Sequence, residues 1–170
     1  MSSVIEIRPK EGVPDVRGEG TASYIRNYIG VPVRSVSTRT LYCFFDDITP
    51  EQARIYSEVL LADGVVEDHE FLGNIPVYEQ PATPEGYRGS WEVRVGQKIK
   101  PMALDNWGEA TRRTLEVIFG SGLGPVRKLD SYVLEGDLTK EDVQRICAEE
   151  KLADTKVQTV VYIPRGNPNG

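Results

Sequence analysis

The segment Ile48–Phe71, ITPEQARIYSEVLLADGVVEDHEF, returns later in the chain as Leu138–Ile163, LTKEDVQRICAEEKLADTKVQTVVYI. Thr49 aligns with Thr139 and Glu51 with Glu141, an offset of 139 − 49 = 90, while Ala62-Asp63 aligns with Ala153-Asp154 at 91 after one inserted residue. A period of this length divides the 170 residues into two halves, each small for an independent core. Each half is therefore expected to bury surface against the other.

A hydrophobic content of 39%, a charged content of 27% and the lack of any long apolar run describe a soluble globular protein. Nothing in Met1-Ser2-Ser3-Val4 follows a signal-peptide pattern, so a cytoplasmic location is the default expectation. The 26 acidic and 20 basic residues give a net charge of −6, with the basic residues scattered, which excludes an electrostatic footprint for nucleic acid or an anionic membrane. Cys43 and Cys147 are too few for a disulfide framework and read as reduced core thiols.

The alternation Val4-Ile5-Glu6-Ile7-Arg8, ending at Pro9, predicts a half-buried strand with its counterpart at Trp91-Glu92-Val93-Arg94-Val95. Asp15 then caps a helix whose Ala22, Ile25 and Ile29 share one face, ended by Gly30 and Pro32. In the second half Asp105 caps the equivalent helix, with Trp107, Thr111, Leu115 and Ile118 as the inward stripe and Gly120-Ser121-Gly122 as the stop. Gly18 and Gly108 fall in the first turn of these helices, where glycine lowers helix stability, so their presence in both copies predicts close approach by another backbone.

Pro32-Val33-Arg34 and Pro125-Val126-Arg127 each open a β-rich segment, read as two strands in each copy: Val33–Thr38 and Thr40–Phe45, then Val126–Leu129 and Ser131–Glu135. Thr49, with Pro50 and Gln52, forms a capping box for a helix with Tyr56, Val59 and Leu60 inward, matched by Val143, Ile146 and Cys147. A strand closes each copy, at Val65–Phe71 and Val157–Ile163. The predicted fold is α+β: two tandem βαββαβ subdomains related to the ferredoxin-like fold, packed as a pseudo-two-fold pair within one chain. The boundaries are 1–71, a Pro/Gly-rich linker at 72–90, 91–164, and a flexible tail at 165–170.

The chemistry-bearing residues support no catalytic constellation. His69 is the single histidine, and no spacing brings Cys43 or Cys147 to it for Cys-His catalysis. There is no CxxC or HExxH, so no metal site is expected. Gly120-Ser121-Gly122-Leu123-Gly124 follows a helix instead of opening one after a strand, which makes it a helix stop and not a phosphate cradle. Asp46-Asp47 and Glu67-Asp68 read as solvated turn and edge-strand charges more readily than as a Mg²⁺ site. Two readings stand for the equivalent pair Arg34 and Arg127: bidentate contacts to a partner's carboxylates, or ion pairs within the chain.

The first half resembles the small PurS component of phosphoribosylformylglycinamidine synthase. The resemblance runs over Gly12-Val13-Pro14-Asp15-Val16-Arg17-Gly18, Val33-Arg34-Ser35-Val36 and, most specifically, Leu60-Leu61-Ala62-Asp63-Gly64-Val65-Val66-Glu67-Asp68-His69, covering most of residues 4–71. The second copy keeps Asp105, Gly108, Pro125-Val126-Arg127 and Leu152-Ala153-Asp154, but has Lys156-Val157-Gln158-Thr159 in place of the Glu-Asp signature.

The resemblance implies a non-catalytic assembly subunit of purine biosynthesis. It bridges a PurL-like synthetase and a PurQ-like glutaminase so that ammonia passes between them. It implies no cofactor in this chain, with ATP and Mg²⁺ in the synthetase alone. Asp15, Gly18, Arg34, Glu67, Asp68, Asp105, Gly108 and Arg127 are the partner-interface candidates, and there is room for further homo-oligomerisation. The chain reads equally as a free subunit or as the N-terminal part of a longer synthase. The rival expectation is a tandem ACT-like module that senses an amino acid, for which Gly12 between the first strand and first helix is the hint.

Overall fold

A computed structural model describes residues 1–98, 105–120, 122–149 and 151–166. The chain is α+β, with six strands and four helices among the described residues: β1 (Ser2–Pro9), α1 (Val16–Tyr24), β2 (Ser35–Phe44), α2 (Pro50–Tyr56), β3 (Glu67–Ile75), β4 (Gly89–Gln97), α3 (Asn106–Phe119), β5 (Val126–Leu138), α4 (Lys140–Ala148) and β6 (Gln158–Pro164). α1 and α2 run on into single π-helical turns, Ile25–Ile29 and Ser57–Leu61. The sheet is hydrogen-bonded in the order β3-β1-β2-β5-β4-β6, and β1 runs antiparallel to both β2 and β3, as β4 does to β6.

Two compact units make up the chain, and neither coincides with a sequence half. The first holds Met1–Pro14, Arg39–Val77 and the described part of 99–130; the second holds Asp15–Thr38, Tyr78–Lys98 and the described part of 131–170. Each unit has four strands and two helices, compatible with a ferredoxin-like order. One helix of each, α3 in the first and α1 in the second, comes from the opposite half of the sequence.

The two strands expected in each β-rich segment are one continuous strand, β2 or β5, whose residues divide between the units after Thr38 and Asp130. The polar residues read as a break lie within regular strand. Thr38 gives its N–H and hydroxyl to Asp15, Arg39 reaches Glu6, and Ser131 reaches Glu92, so their polarity serves side-chain partners and the backbone stays extended. The 72–90 linker is likewise partly ordered into strand, since β3 extends to Ile75 and β4 begins at Gly89.

In the first unit the core joins Ile5, Ile7, Phe44, Ala53, Tyr56, Leu61, Leu115 and Val126. Tyr56 stacks against Phe44 and tilts against Phe119, with ring centroids 5.7 and 5.3 Å apart. Val59 and Leu60, expected inward, are 53% and 36% exposed, and Leu61 takes their place. The cause is the π turn: the Ala62 amide bonds to the Ser57 carbonyl, five residues back, which rotates the inward face from i+3 and i+4 to i+5.

On α3 the inward stripe is also narrower than expected. Leu115 is fully buried, whereas Trp107 and Ile118 are 72% and 46% exposed. Gly108 lies against the Val126 carbonyl, so the buried face runs from 108 to 115, one seven-residue repeat, and Trp107 is turned outward.

The second unit centres on Trp91, whose indole N–H donates to the Leu138 carbonyl at 3.0 Å and whose ring meets Tyr87 and Tyr162 edge-on. Ala22, Ile25, Ile29, Val143, Ile146 and Cys147 pack here as their spacing predicts. Arg145 donates to the Ile29 carbonyl at 2.8 Å and satisfies the end of the first helix. At the edge of the sheet Gln80 hydrogen-bonds both backbone groups of Tyr162 through its side-chain amide, at 2.7 and 3.1 Å, and so occupies a pairing position on β6. No helix among the described residues is long and apolar enough to cross a membrane.

Candidate functional site

Four of the residues singled out by the sequence stand in pairs at a helix start, Asp15 and Gly18 at α1 in the second unit and Asp105 and Gly108 at α3 in the first. In the second unit Asp15 Oδ1 accepts from the Gly18 N–H at 2.8 Å and the Thr38 hydroxyl at 2.9 Å, while Oδ2 accepts from the Thr38 N–H at 2.5 Å. In the first unit Asp105 Oδ1 accepts from the Gly108 N–H at 2.9 Å and Oδ2 from the Lys128 N–H at 2.7 Å. The spacing is the same in both: 38 − 15 = 23 and 128 − 105 = 23. One carboxylate thus caps a helix and fastens it to a strand.

Gly18 and Gly108 complete this bracket. A Cβ on Gly18 would overlap the Val36 carbonyl oxygen and one on Gly108 the Val126 carbonyl oxygen, so the expected close approach of a backbone is present in both. A cation–aromatic pair sits beside each bracket with its roles exchanged. Arg17 on the helix lies over Tyr132 on the strand, whereas Trp107 on the helix receives Lys128 from the strand, each at 5.0 Å.

Glu67 has a local partner too. Its carboxylate accepts from the Asp63 N–H at 2.8 Å and closes the turn into β3, as the Gln158 side chain does for Asp154 in the second copy at 2.8 Å. Glu67 and Gln158 therefore close the same kind of turn, one with a charge and one without. Asp68 is exposed on β3, Arg34 is exposed, and Arg127 is half-buried on β5. The guanidinium groups of Arg34 and Arg127 make no ion pair among the described residues. Five of the eight candidates, Asp15, Gly18, Glu67, Asp105 and Gly108, are thus engaged within the chain, while Arg34 and Asp68 are exposed and Arg127 is half-buried.

The other groups considered for chemistry are accounted for by packing or turns. Cys43 and Cys147 are buried, and burial pushes the Cys147 thiol up to about 11, far from a thiolate at neutral pH. Cys43 pairs with Val4 and His69 with Ile7, so β1 lies between them and they occupy opposite faces. Asp46 Oδ2 accepts from the Gly124 N–H at 2.6 Å, so a carboxylate of the chain itself occupies the glycine-rich loop. Gly120 ends α3 in the left-handed conformation, as a helix stop requires, while Ser121 lies outside the described residues.

A buried charge cluster went unread in the sequence. Glu92, 5% exposed, accepts from Arg94 at 2.7 Å, Ser131 at 3.0 Å and Arg165 at 3.1 Å. Burial alone raises its carboxyl, but these partners outweigh it and hold the group below the usual carboxylate range. Glu6, 4% exposed, accepts from Arg8 at 2.8 Å and Arg39 at 3.0 Å in the first unit. The shared signal is Glu-x-Arg on a strand, Glu6-Ile7-Arg8 and Glu92-Val93-Arg94. Alternation alone reads such positions as solvated.

No protein-family profile matches the chain, and no curated protein matches it.

Proposed function

We propose that this chain is a non-catalytic assembly subunit of a phosphoribosylformylglycinamidine synthase, a PurS-like pair in one polypeptide that joins a PurL-like synthetase to a PurQ-like glutaminase. The observation that carries the reading is the repeated bracket. Asp15-x-x-Gly18 and Asp105-x-x-Gly108 hold helix to strand with the same 23-residue spacing, at motif residues the resemblance uses. Tandem duplication accounts for that identity. It also accounts for a strand order, β3-β1-β2-β5-β4-β6, that reads the same from either end when each strand is replaced by its counterpart.

Within this reading the exposed Arg34 and Asp68 and the half-buried Arg127 are the partner contacts, ATP and Mg²⁺ belong to the synthetase, and the location is cytoplasmic. The rival amino-acid sensor needs backbone amides beside the first helix to bind a ligand carboxylate, and Asp15 already takes those of Gly18 and Thr38. Reconstitution tests the proposal. Glutamine-dependent amidine synthesis by the synthetase and glutaminase requires this chain, whereas ammonia-dependent synthesis requires it much less. Glutamine-dependent activity unchanged by its omission refutes the reading, and saturable amino-acid binding by the isolated chain without affinity for either subunit favours the sensor.

A further inference from the structure

Strand β6 stands at one end of the sheet order, and its residues, Gln158-Thr159-Val160-Val161-Tyr162-Ile163-Pro164, include no charged side chain. A short uncharged run rich in β-branched and aromatic residues at a sheet edge is the pattern that recruits strands from other chains. The opposite edge is defended by its own sequence. β3 carries Glu67, Asp68 and Glu70, and its register shifts opposite Val4 and Ile5, so charge and an irregular ladder both oppose strand addition there.

The parity of the β4–β6 ladder fixes which β6 groups face the edge. The Lys98 N–H donates to the Val157 carbonyl and the Arg165 N–H to the Ser90 carbonyl, so the odd-numbered residues of β6 turn their backbone groups toward β4. Gln158, Val160, Tyr162 and Pro164 turn theirs outward. The Gln158 N–H is taken by the Asp154 carbonyl at 2.7 Å, and proline has no N–H. Both groups of Tyr162 are taken by Gln80, whose Nε2 donates to the carbonyl at 2.7 Å and whose Oε1 accepts from the N–H at 3.1 Å. Val160 alone keeps an open outward N–H among the described residues.

Gln80 is exposed, whereas its receptor is fixed: the Tyr162 ring meets Trp91 edge-on and its hydroxyl accepts from Gln144 at 3.3 Å. The contact can therefore open without unfolding the strand. The repeat supplies a comparison, since Phe71 holds the position of Tyr162, 162 − 91 = 71. By the same parity, set by the Lys10 N–H on the Val66 carbonyl, Phe71 faces its edge, yet no side-chain amide meets it among the described residues. The amide is placed on the uncharged edge alone.

We propose that Gln80 is a latch that closes the β6 edge against strand addition. Its side-chain amide has the donor and acceptor of a backbone peptide and stands in for one residue of a neighbouring strand. With the latch open, the outward groups of Val160 and Tyr162 together seat an extended segment of another chain. The inference stands apart from the assembly reading.

Amide hydrogen exchange by NMR on the full chain, paired with sedimentation velocity at rising concentration, tests it. In the parent the Tyr162 amide exchanges slowly and the Val160 amide fast. Gln80→Ala is expected to speed Tyr162 by about tenfold or more, to leave the inward Val161 amide slow, and to sediment as larger species than the parent as concentration rises. Glu79→Ala, at the exposed neighbouring position, should change none of these, and thermal melts of both variants should match the parent. Tyr162 exchange unchanged by Gln80→Ala, Val161 quickened equally, or a Gln80→Ala chain no more self-associated than the parent overturns the proposal.

Discussion

Gly18 and Gly20 occupy the same helix two residues apart, yet alanine meets opposite environments at the two sites. A Cβ at Gly20 has open space, whereas at Gly18 and Gly108 it meets a strand carbonyl. Gly20→Ala is expected to stabilise the chain by about 0.5–1 kcal/mol through helix propensity, and Gly18→Ala or Gly108→Ala to destabilise it by about 2 kcal/mol or more. Urea unfolding of the three variants measures the contrast. Glu109 gives a pH signature. Hydrogen bonds from Arg112, and then Arg113, outweigh partial desolvation and depress its carboxyl to about 2. A depressed carboxylate contributes stability that is present above its unfolded pKa and lost as pH falls through the folded one, here between about 4.5 and about 2. Glu109→Gln should flatten the fall in melting temperature across that window, as calorimetry at stepped pH would record. The cap at Asp15 and the close approach at Gly18 were legible in residue type and repetition. The bond from Asp15 to Thr38 was not, because local spacing does not say which strand will lie beside a helix start.

The π turn after α2 decides which side chains that element buries. Leu61→Ala is expected to cost about 2–4 kcal/mol as a buried large-to-small change, and Val59→Ala to stay within about 0.5 kcal/mol as a surface change; chemical denaturation of the pair checks the assignment. If the Val59 variant were the more damaging, the rotation of the inward face by the turn would be wrong. Apolar spacing made the helix legible and left its face open, since Val59, Leu60 and Leu61 are consecutive apolar residues and one extra residue per turn exchanges them. α3 posed the same ambiguity, having apolar residues on two sides, and the tight seat of Gly108 on Val126 chose between them. The capping box at Thr49 was fully readable, because its partner Gln52 lies three residues away, whereas the one at Thr139 was not read, since Asp142 stands where the pattern has Glu or Gln.

Across the whole molecule the repeat foretold the inventory of each unit but not which half supplies each piece. Unbroken β2 and β5 change unit partway along, and the core of the first unit needs Leu115 and Val126 from the second half of the chain. A fragment of residues 1–77 is therefore expected to be unfolded or to pair with another copy of itself, and to gain a cooperative melt on mixing with 78–170; circular dichroism and light scattering distinguish these outcomes. A folded monomer of 1–77 would refute the exchange of helices between halves. The same exchange bears on birth at the ribosome. Residues 1–14 emerge first, but the last segment of their unit ends near residue 130, which follows after roughly ten seconds at ordinary elongation rates. Neither unit can close while the chain is half made, so the nascent protein waits with apolar strands uncovered, and its yield in a cell becomes a matter of chaperone supply and translation speed as much as of final stability.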